Sequence, residues 1–172
     1  LYTVAALAFF IGLFRCRKGA SRARPFVSVV VAARNEERQM GGCLNALLRQ
    51  TYPADRYEIV VVDDDSDDRT PEIAGRIAAE HVRVRCLPVG DACPHLMAKK
   101  RPLSLGIREA RGEIVLTTDA DCRVPATWIA SMVACFEPDV GAVIGFSQIK
   151  APGSPLTCFE RLQGFDFLAL MS

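Results

Sequence analysis

The stretch that decides the fold is VSVVVAARNEE, residues 27–37, in which a continuous apolar run gives way abruptly to charged and amide side chains. A β-branched run without polar alternation indicates a strand that is buried on both faces. Residues 36–50 then place their Met and Leu side chains at helical spacing. The sequence therefore predicts a buried strand followed directly by a helix, which is the first half of a parallel β-α-β unit.

The same alternation of strand and helix patterns continues along the chain. Further strands are predicted at 57–62, 82–87, 113–118 and 141–146, and further helices at 71–80, 99–110 and 125–136. Buried strands separated by helices build a mostly parallel sheet with helices on both faces. The predicted fold is therefore a doubly wound α/β domain, for which we expect the bounds 26–150.

Polar side chains follow three of the predicted strands at the point where each strand ends. The first strand leads into Arg34-Asn35-Glu36, another into Asp63-Asp64-Asp65, and a third into Asp119-Ala120-Asp121. In open parallel sheets, ligands bind beyond the carboxyl ends of the strands. The candidate site is therefore one edge of the sheet, to which three strands deliver carboxylates.

The Asp119-Ala120-Asp121 segment suits a hard divalent cation. Residues two apart in an extended chain point to the same side, so both carboxylates can face one ligand. Mg²⁺ is commonly held by one or two carboxylates together with substrate phosphates. The sequence thus predicts a Mg²⁺ or Mn²⁺ site at Asp121 and Asp119, although chance or helix capping also produces such a pair.

A second acidic segment crowds its carboxylates into residues 63–68. For Asp67 and Asp68 the preferred interpretation is a solvated loop that caps the helix beginning near Thr70. Asp64 lies nearest the strand end, where a carboxylate can accept hydrogen bonds from a base or from ribose hydroxyls. We therefore treat Asp64 as a candidate ligand residue, separately from the rest of the cluster.

Three cations, Lys99, Lys100 and Arg101, open a predicted helix at the end where the helix dipole disfavours positive charge. Anion binding explains this placement, and a solvated basic turn explains it equally well. No G-x-G-x-x-G or Walker lysine motif accompanies the strands, which argues against dinucleotide oxidoreductases and P-loop enzymes. Seven Cys without a C-x-x-C pair and only two His leave no zinc-ligand spacing, and they fit a reducing compartment.

Four segments in this order, 27–36, 58–66, 99–106 and 112–121, resemble the family-2 glycosyltransferases with a GT-A fold. The resemblance implies that Ala33, Asn35 and Glu36 lie at the nucleotide pocket. It also implies that Asp64 binds the base, commonly uracil, and that Lys99 approaches the diphosphate. Asp119 would contact ribose or metal, and Asp121 would be the main metal ligand. The chain departs from the family pattern at Asp65 and Ala98, where Gly is frequent, at Pro102, where Ala is usual, and at Ser104, where Asn is usual.

The function implied is transfer of a sugar from a nucleoside-diphosphate sugar, UDP-sugar above all, to a lipid-linked or polysaccharide acceptor, with inversion. Such enzymes use a later Asp as general base, which we expect beyond Ser172, so no turnover is expected from these 172 residues alone. Two rival functions stay open: a nucleotidyltransferase on a related α/β scaffold, and a non-enzymatic module that binds a ligand in the acidic pocket. Residues 151–172 are interpreted as the start of an acceptor-side or interfacial segment.

Residues 1–25 combine an apolar run, Leu1–Phe14, with a basic linker. The pattern predicts part of a transmembrane helix, and the positive charge after it predicts that the domain lies on the cytoplasmic side of the membrane. A buried helix of a soluble domain is the alternative. The apolar run and the basic linker lead us to expect a membrane partner. The formal net charge of +1 gives no global field that would attract nucleic acid, so we expect no nucleic-acid partner.

Overall fold

The computed structural model describes residues 19–90, 96 and 98–145. One compact unit spans Ser21–Ala134 and contains every helix and strand of the described residues. The described residues 19–20 and 135–145 belong to a second unit.

The first unit is a parallel sheet with helices between its strands. Its elements are β1 (Val27–Ala33), α1 (Met40–Leu48), β2 (Tyr57–Asp63), α2 (Thr70–Glu80), β3 (Val84–Pro88), α3 (Lys100–Glu109), β4 (Ile114–Asp119) and α4 (Trp128–Ala134). The four strands are all parallel and lie in the order β3-β2-β1-β4. β2 and β3 therefore lie on one side of β1, and β4 pairs with its other side.

One face of the sheet is covered by α3. Val30 and Val60 are register partners, both are fully buried, and they form one apolar cluster with Leu105 of α3. Gly106, the next residue of α3, brings the helix so close to the sheet that an added Cβ would lie 2.3 Å from Val30 Cγ1. The backbone of α3 therefore packs directly against β1 at this position.

The opposite face is covered by α1 and α2, as the right-handed crossovers β1-α1-β2 and β2-α2-β3 require. Tyr57 at the start of β2 donates a 3.0 Å hydrogen bond from its hydroxyl to the carbonyl of Leu47 in α1. Met40 and Leu44 of α1 are fully buried, and so are Val29, Val31, Ile59 and Val61 of the sheet. Helices on both faces explain why β1 and β2 carry no exposed residue.

The predicted parallel α/β architecture is confirmed, and most predicted elements are present with shifted ends. The strand predicted at 141–146 is wrong for the residues that the structure describes, because 141–145 adopt no regular secondary structure. Ile144 in this segment is 76% exposed. β-branched residues favour a strand when they can pair and pack, and 141–145 are mostly exposed.

The predicted membrane segment and linker, residues 1–25, lie outside the described residues as far as residue 18, and the predicted acceptor-side segment, residues 151–172, lies wholly outside them. Among the residues that are described, none of the helices has the length and apolar character needed to cross a bilayer. The presence of a partial transmembrane helix in residues 1–25 therefore stays a prediction.

A buried polar network fastens the amino-terminal end of the sheet, opposite the predicted site. Glu58 is 5% exposed, and its Oε1 accepts hydrogen bonds from Ser28 Oγ at 2.7 Å and from the Arg111 backbone N–H at 2.9 Å. Its Oε2 accepts from Arg85 Nε at 3.0 Å. Burial by itself would raise the pKa of Glu58, but these donors and the charge of Arg85 outweigh it, so its pKa lies below the ordinary value.

We expect Glu58→Gln to lower the free energy of unfolding near neutral pH by about 1–3 kcal/mol, because the amide group would face at least one of these donors with its NH₂. A depressed carboxyl pKa stabilises the fold above the unfolded-state pKa of about 4.3, and that contribution is lost as the pH falls through the folded-state pKa. Urea unfolding from pH 7 to pH 3 measures both effects. A variant with unchanged stability and unchanged acid sensitivity would contradict the assignment.

Candidate functional site

The site lies where the order of the strands reverses. Because β1 pairs with β2 on one side and β4 on the other, the carboxyl ends of these three strands are neighbours. Ala33 is the register partner of Asp63, and Ala32 is the register partner of Asp119. Parallel doubly wound sheets bind their ligands at this reversal point. The structure therefore brings the predicted segments after β1, β2 and β4 to one edge.

Asn35 shapes the turn after β1 by joining it to the loop after β2. Its φ of 56° lies in the left-handed region, which Asn tolerates better than most residues. Its backbone N–H donates to Ser66 Oγ at 3.0 Å, and its Oδ1 accepts from the Asp67 backbone N–H at 2.8 Å. The Glu36 backbone N–H donates to Thr70 Oγ1 at 2.7 Å. Asn35 therefore holds two loops of the site together, a role that sequence analysis did not predict.

Protein donors compensate much of the acidic cluster after β2. Asp63 Oδ1 accepts from Ser66 Oγ at 2.6 Å. Asp68 accepts from the backbone N–H of Glu37 at 3.0 Å and of Thr70, the first residue of α2, at 2.9 Å. This bonding agrees with the helix-start interpretation of Asp68. The hydroxyls of Ser66 and Thr70 thus serve to fix the loop.

Asp64 differs from its neighbours because one oxygen of its buried carboxylate lacks a hydrogen-bond partner in the part of the chain that the structure describes. Its backbone N–H donates to the Ala33 carbonyl at 2.8 Å, and the residue is 5% exposed. Two guanidinium groups lie at ion-pair distance, Arg101 Nη1 at 3.7 Å from Oδ1 and Arg34 Nη1 at 3.9 Å from Oδ2. Within the described residues, Oδ1 makes no hydrogen bond. Buried polar atoms rarely stay unpaired, so this carboxylate has acceptor capacity to offer a ligand.

The basic turn at the start of α3 is matched by carboxylates of the protein itself. Lys99 Nζ lies 3.0 Å from Asp119 Oδ2, and this hydrogen bond is the main reason that the pKa of Lys99 is raised. Arg101 Nη1 lies 3.7 Å from Asp65 Oδ2 as well as from Asp64. These ion pairs explain why cations are tolerated at the amino-terminal end of α3, which is the positive end of the helix dipole. They also place Lys99 beside the predicted metal ligands.

The electrostatics of the edge favour a cation. The pKa of Glu36 is raised by burial first and then by the negative charges of Asp121, Asp68 and Asp119, while Lys99 lowers it. Carboxylates that raise one another's pKa repel each other, and a bound divalent cation would offset that repulsion. The pKa of Glu36 therefore depends on carboxylates from both the loop after β2 and the end of β4.

The donor set fits a hard cation that shares its coordination with a ligand. In 19–90, 96 and 98–145, no cluster of three or more His, Cys, Asp or Glu side chains could hold a metal by itself. Asp119 and Asp121 supply two carboxylates, and Mg²⁺ is usually bound by one or two carboxylates with phosphates and water completing the shell. Cys43, whose pKa burial raises to about 12, donates its thiol to the Asp119 carbonyl at 3.6 Å and behaves as a packing residue.

Two non-Gly residues of the site adopt left-handed backbone conformations where the family pattern has Gly. Asp65 has a φ of 54° and Ala98 a φ of 51°. For Ala this conformation costs about 1–2 kcal/mol, whereas Gly adopts it freely.

We expect Ala98→Gly to raise the free energy of unfolding by about 1 kcal/mol, since relief of the strain exceeds the entropy that Gly adds to the unfolded chain. Urea unfolding measures the change, and Ala110→Gly, at an extended residue after α3, serves as the control that should only lose stability. A loss of stability in both variants would contradict the strained conformation.

The fold and the site define a parallel α/β domain with an acidic, cation-suited edge. Residues 28–157 match the model of Glycosyl transferase family 2, and the chain belongs to that family.

Curated relatives support this assignment. The chain is 34% identical over 142 residues to glycosyltransferase AglE of Haloferax volcanii, covering 82% of this chain and 45% of AglE. It is 33% identical over 120 residues to the beta-monoglucosyldiacylglycerol synthase of Trichormus variabilis, covering 69% of this chain and 25% of the synthase. The chain thus spans less than half the length of these relatives.

A solved structure extends the match to the fold. The mannosyltransferase PcManGT from Pyrobaculum calidifontis, in complex with GDP-Man and Mn²⁺, superposes with a TM-score of 0.72 at 27% identity. The match covers 96% of this chain and 46% of the mannosyltransferase. The chain therefore belongs to glycosyltransferase family 2 and has a parallel α/β, GT-A-like fold.

Proposed function

We propose that this chain binds a nucleoside-diphosphate sugar together with Mg²⁺ or Mn²⁺ at the carboxyl edge of β1, β2 and β4. The observation that carries the proposal is the buried Asp64 carboxylate, whose Oδ1 makes no hydrogen bond among the described residues and lies at the same sheet edge as Asp119 and Asp121. A buried acceptor beside a pair of cation-suited carboxylates matches a ligand with N–H or O–H donors at one end and phosphates at the other.

Each predicted site residue has a role in this proposal. Asp64 accepts a hydrogen bond from the nucleoside, while Ala33, Asn35 and Glu36 form the wall of its pocket. Asp121 holds the cation with help from Asp119, and Lys99 turns from Asp119 to the diphosphate when the donor binds. The cation, when bound, stabilises the negative charge of the departing nucleoside diphosphate.

We further propose a UDP-sugar as the donor and a lipid-linked or polysaccharide acceptor, with inversion at the sugar carbon. The PcManGT complex contains GDP-Man, and a solved structure of TarS from S. aureus contains UDP-GlcNAc at 27% identity and a TM-score of 0.54 over 63% of this chain. The beta-monoglucosyldiacylglycerol synthase is named for a glycolipid product, which supports a lipid acceptor. We place the domain at the cytoplasmic side of a membrane and the general base beyond Ser172.

Calorimetric titration of the chain with UDP, GDP, UDP-glucose and UTP, each with and without Mn²⁺, tests the proposal. We expect UDP and UDP-glucose to bind more tightly when Mn²⁺ is present. Preference for UTP over both would favour the nucleotidyltransferase alternative. Binding that is indifferent to Mn²⁺, or absent for every nucleotide, would contradict the proposed function.

A further inference from the structure

Arg101 is the most enclosed cation of the site, and its surroundings are not explained by helix structure. It lies in the first turn of α3, where the helix dipole disfavours a positive charge. Its side chain is 25% exposed, whereas those of Arg34 and Lys99 are 60% and 70% exposed. A guanidinium in this position needs compensating partners.

The partners of Arg101 come from the loops after two strands. Arg101 Nη1 lies 3.7 Å from Asp64 Oδ1 and 3.7 Å from Asp65 Oδ2. Its Nη2 donates a 2.7 Å hydrogen bond to the carbonyl of Gly90, which follows β3. One guanidinium therefore links α3 to the loops after β2 and β3, and its planar group is rigid enough to fix the geometry between them.

The contact with Asp64 neutralises charge while leaving hydrogen-bonding capacity. A separation of 3.7 Å is an ion pair but exceeds the 2.7–3.2 Å range of an N–H···O hydrogen bond. Asp64 Oδ1 and Arg101 Nε are both buried, and neither makes a hydrogen bond among the described residues. Burying a carboxylate is costly without an opposite charge. Because Arg101 is less exposed than Arg34, solvent screens its charge less, and it provides most of this compensation.

We propose that Arg101 is a positioning residue for nucleoside recognition: its guanidinium holds the buried Asp64 carboxylate in place, and through Asp64 it sets the affinity for the base end of the donor. The inference rests on the proposed function. Arg101 lies in the first turn of α3 and Asp64 directly after β2, whereas the predicted cation ligands lie at the end of β4. Arg101 therefore acts on the base end independently of the cation.

The test measures the affinities for UDP and GDP, each with and without Mn²⁺, in the unmodified chain and in Arg101→Met, Arg101→Lys and Lys100→Met. Lys100 is the matched control, because it is an exposed cation in the same helical turn. We expect Arg101→Met to weaken binding of the preferred nucleotide about tenfold both with and without Mn²⁺. The enhancement by Mn²⁺ should stay within about twofold, since the cation ligands are untouched.

Arg101→Lys keeps the charge but loses the planar fork, so we expect it to recover part of the affinity. Lys100→Met should bind as the unmodified chain does. If Arg101→Met does not fold by circular dichroism, Arg101→Lys carries the test, with a loss of about threefold that is equal in both metal conditions.

Two results would overturn the inference. Unchanged affinity in Arg101→Met would show that Asp64 does not depend on Arg101, and a loss confined to Mn²⁺-containing samples would place Arg101 at the diphosphate end. Failure of the unmodified chain to bind any nucleotide is a different result, because it removes the proposed function itself and the inference with it.

Discussion

Gly106→Ala should destabilise the chain by about 3 kcal/mol, although Ala is normally the better helix former by about 1 kcal/mol. The added Cβ would lie 2.3 Å from Val30 Cγ1 and 3.1 Å from Val62 Cγ2. Both valines are fully buried in the sheet, so neither can move aside without disturbing its neighbours. Relief of this clash requires α3 to move away from the sheet, and α3 directly follows Lys99 and carries Arg101 in its first turn.

Gly75→Ala is the matched control for this substitution. Gly75 lies inside α2, and a Cβ added there has no neighbouring atom within 4 Å, so we expect a gain of about 1 kcal/mol. Urea unfolding of the two variants should therefore give opposite signs. A gain of stability in both would show that α3 does not pack as closely on β1 as described.

Asp121→Ala should abolish the enhancement of nucleotide binding by Mn²⁺, a loss of about 3 kcal/mol or a hundredfold in affinity. The reason is the small donor set: with two carboxylates at the end of β4, removal of one leaves a single exposed ligand. Asp119 also forms a 3.0 Å ion pair with Lys99, which competes with the cation for its carboxylate. Without Mn²⁺, the affinity of the variant should equal or exceed that of the unmodified chain, because one negative charge facing the phosphates is gone.

Asp67→Ala is the control for this charge change, since Asp67 is an exposed carboxylate of the same acidic edge. It should retain the full Mn²⁺ enhancement in calorimetry. Equal losses in both variants would mean that the cation responds to the general negative field of the edge instead of a site at Asp121.

The strand patterns predicted the sheet because β1 and β2 are buried on both faces, and burial of that kind leaves a continuous apolar run in the sequence. The position of the site followed from the topology, since parallel strands deliver their carboxyl ends to one edge. Val82 shows where the same rule fails: it reads as part of a strand but is fully exposed in a turn before β3. Local β-propensity does not specify where pairing begins.

Side-chain partners within the site could not be predicted, because they depend on contacts between residues far apart in sequence. Asn35 forms hydrogen bonds with Ser66 and Asp67 in the loop after β2, which lie 31 and 32 positions further along the chain. The basic turn at Lys99 was consistent with anion binding or with solvation, and neither possibility included pairing with Asp119 and Asp64. The departures from Gly at Asp65 and Ala98 were visible in the sequence, but only the φ angles show that the left-handed conformations are kept.

Paramagnetic broadening by Mn²⁺ tests most directly whether the ends of β2 and β4 bind one donor through one cation. In the presence of UDP or GDP, substoichiometric Mn²⁺ should broaden the amide NMR signals of residues 119–123 and 34–36 most strongly, and those of 64–66 next. The signals of Ser28, Glu58 and Gly112, at the opposite end of the sheet, should stay sharp. Strongest broadening at that opposite end, or broadening that the nucleotide does not change, would contradict the account.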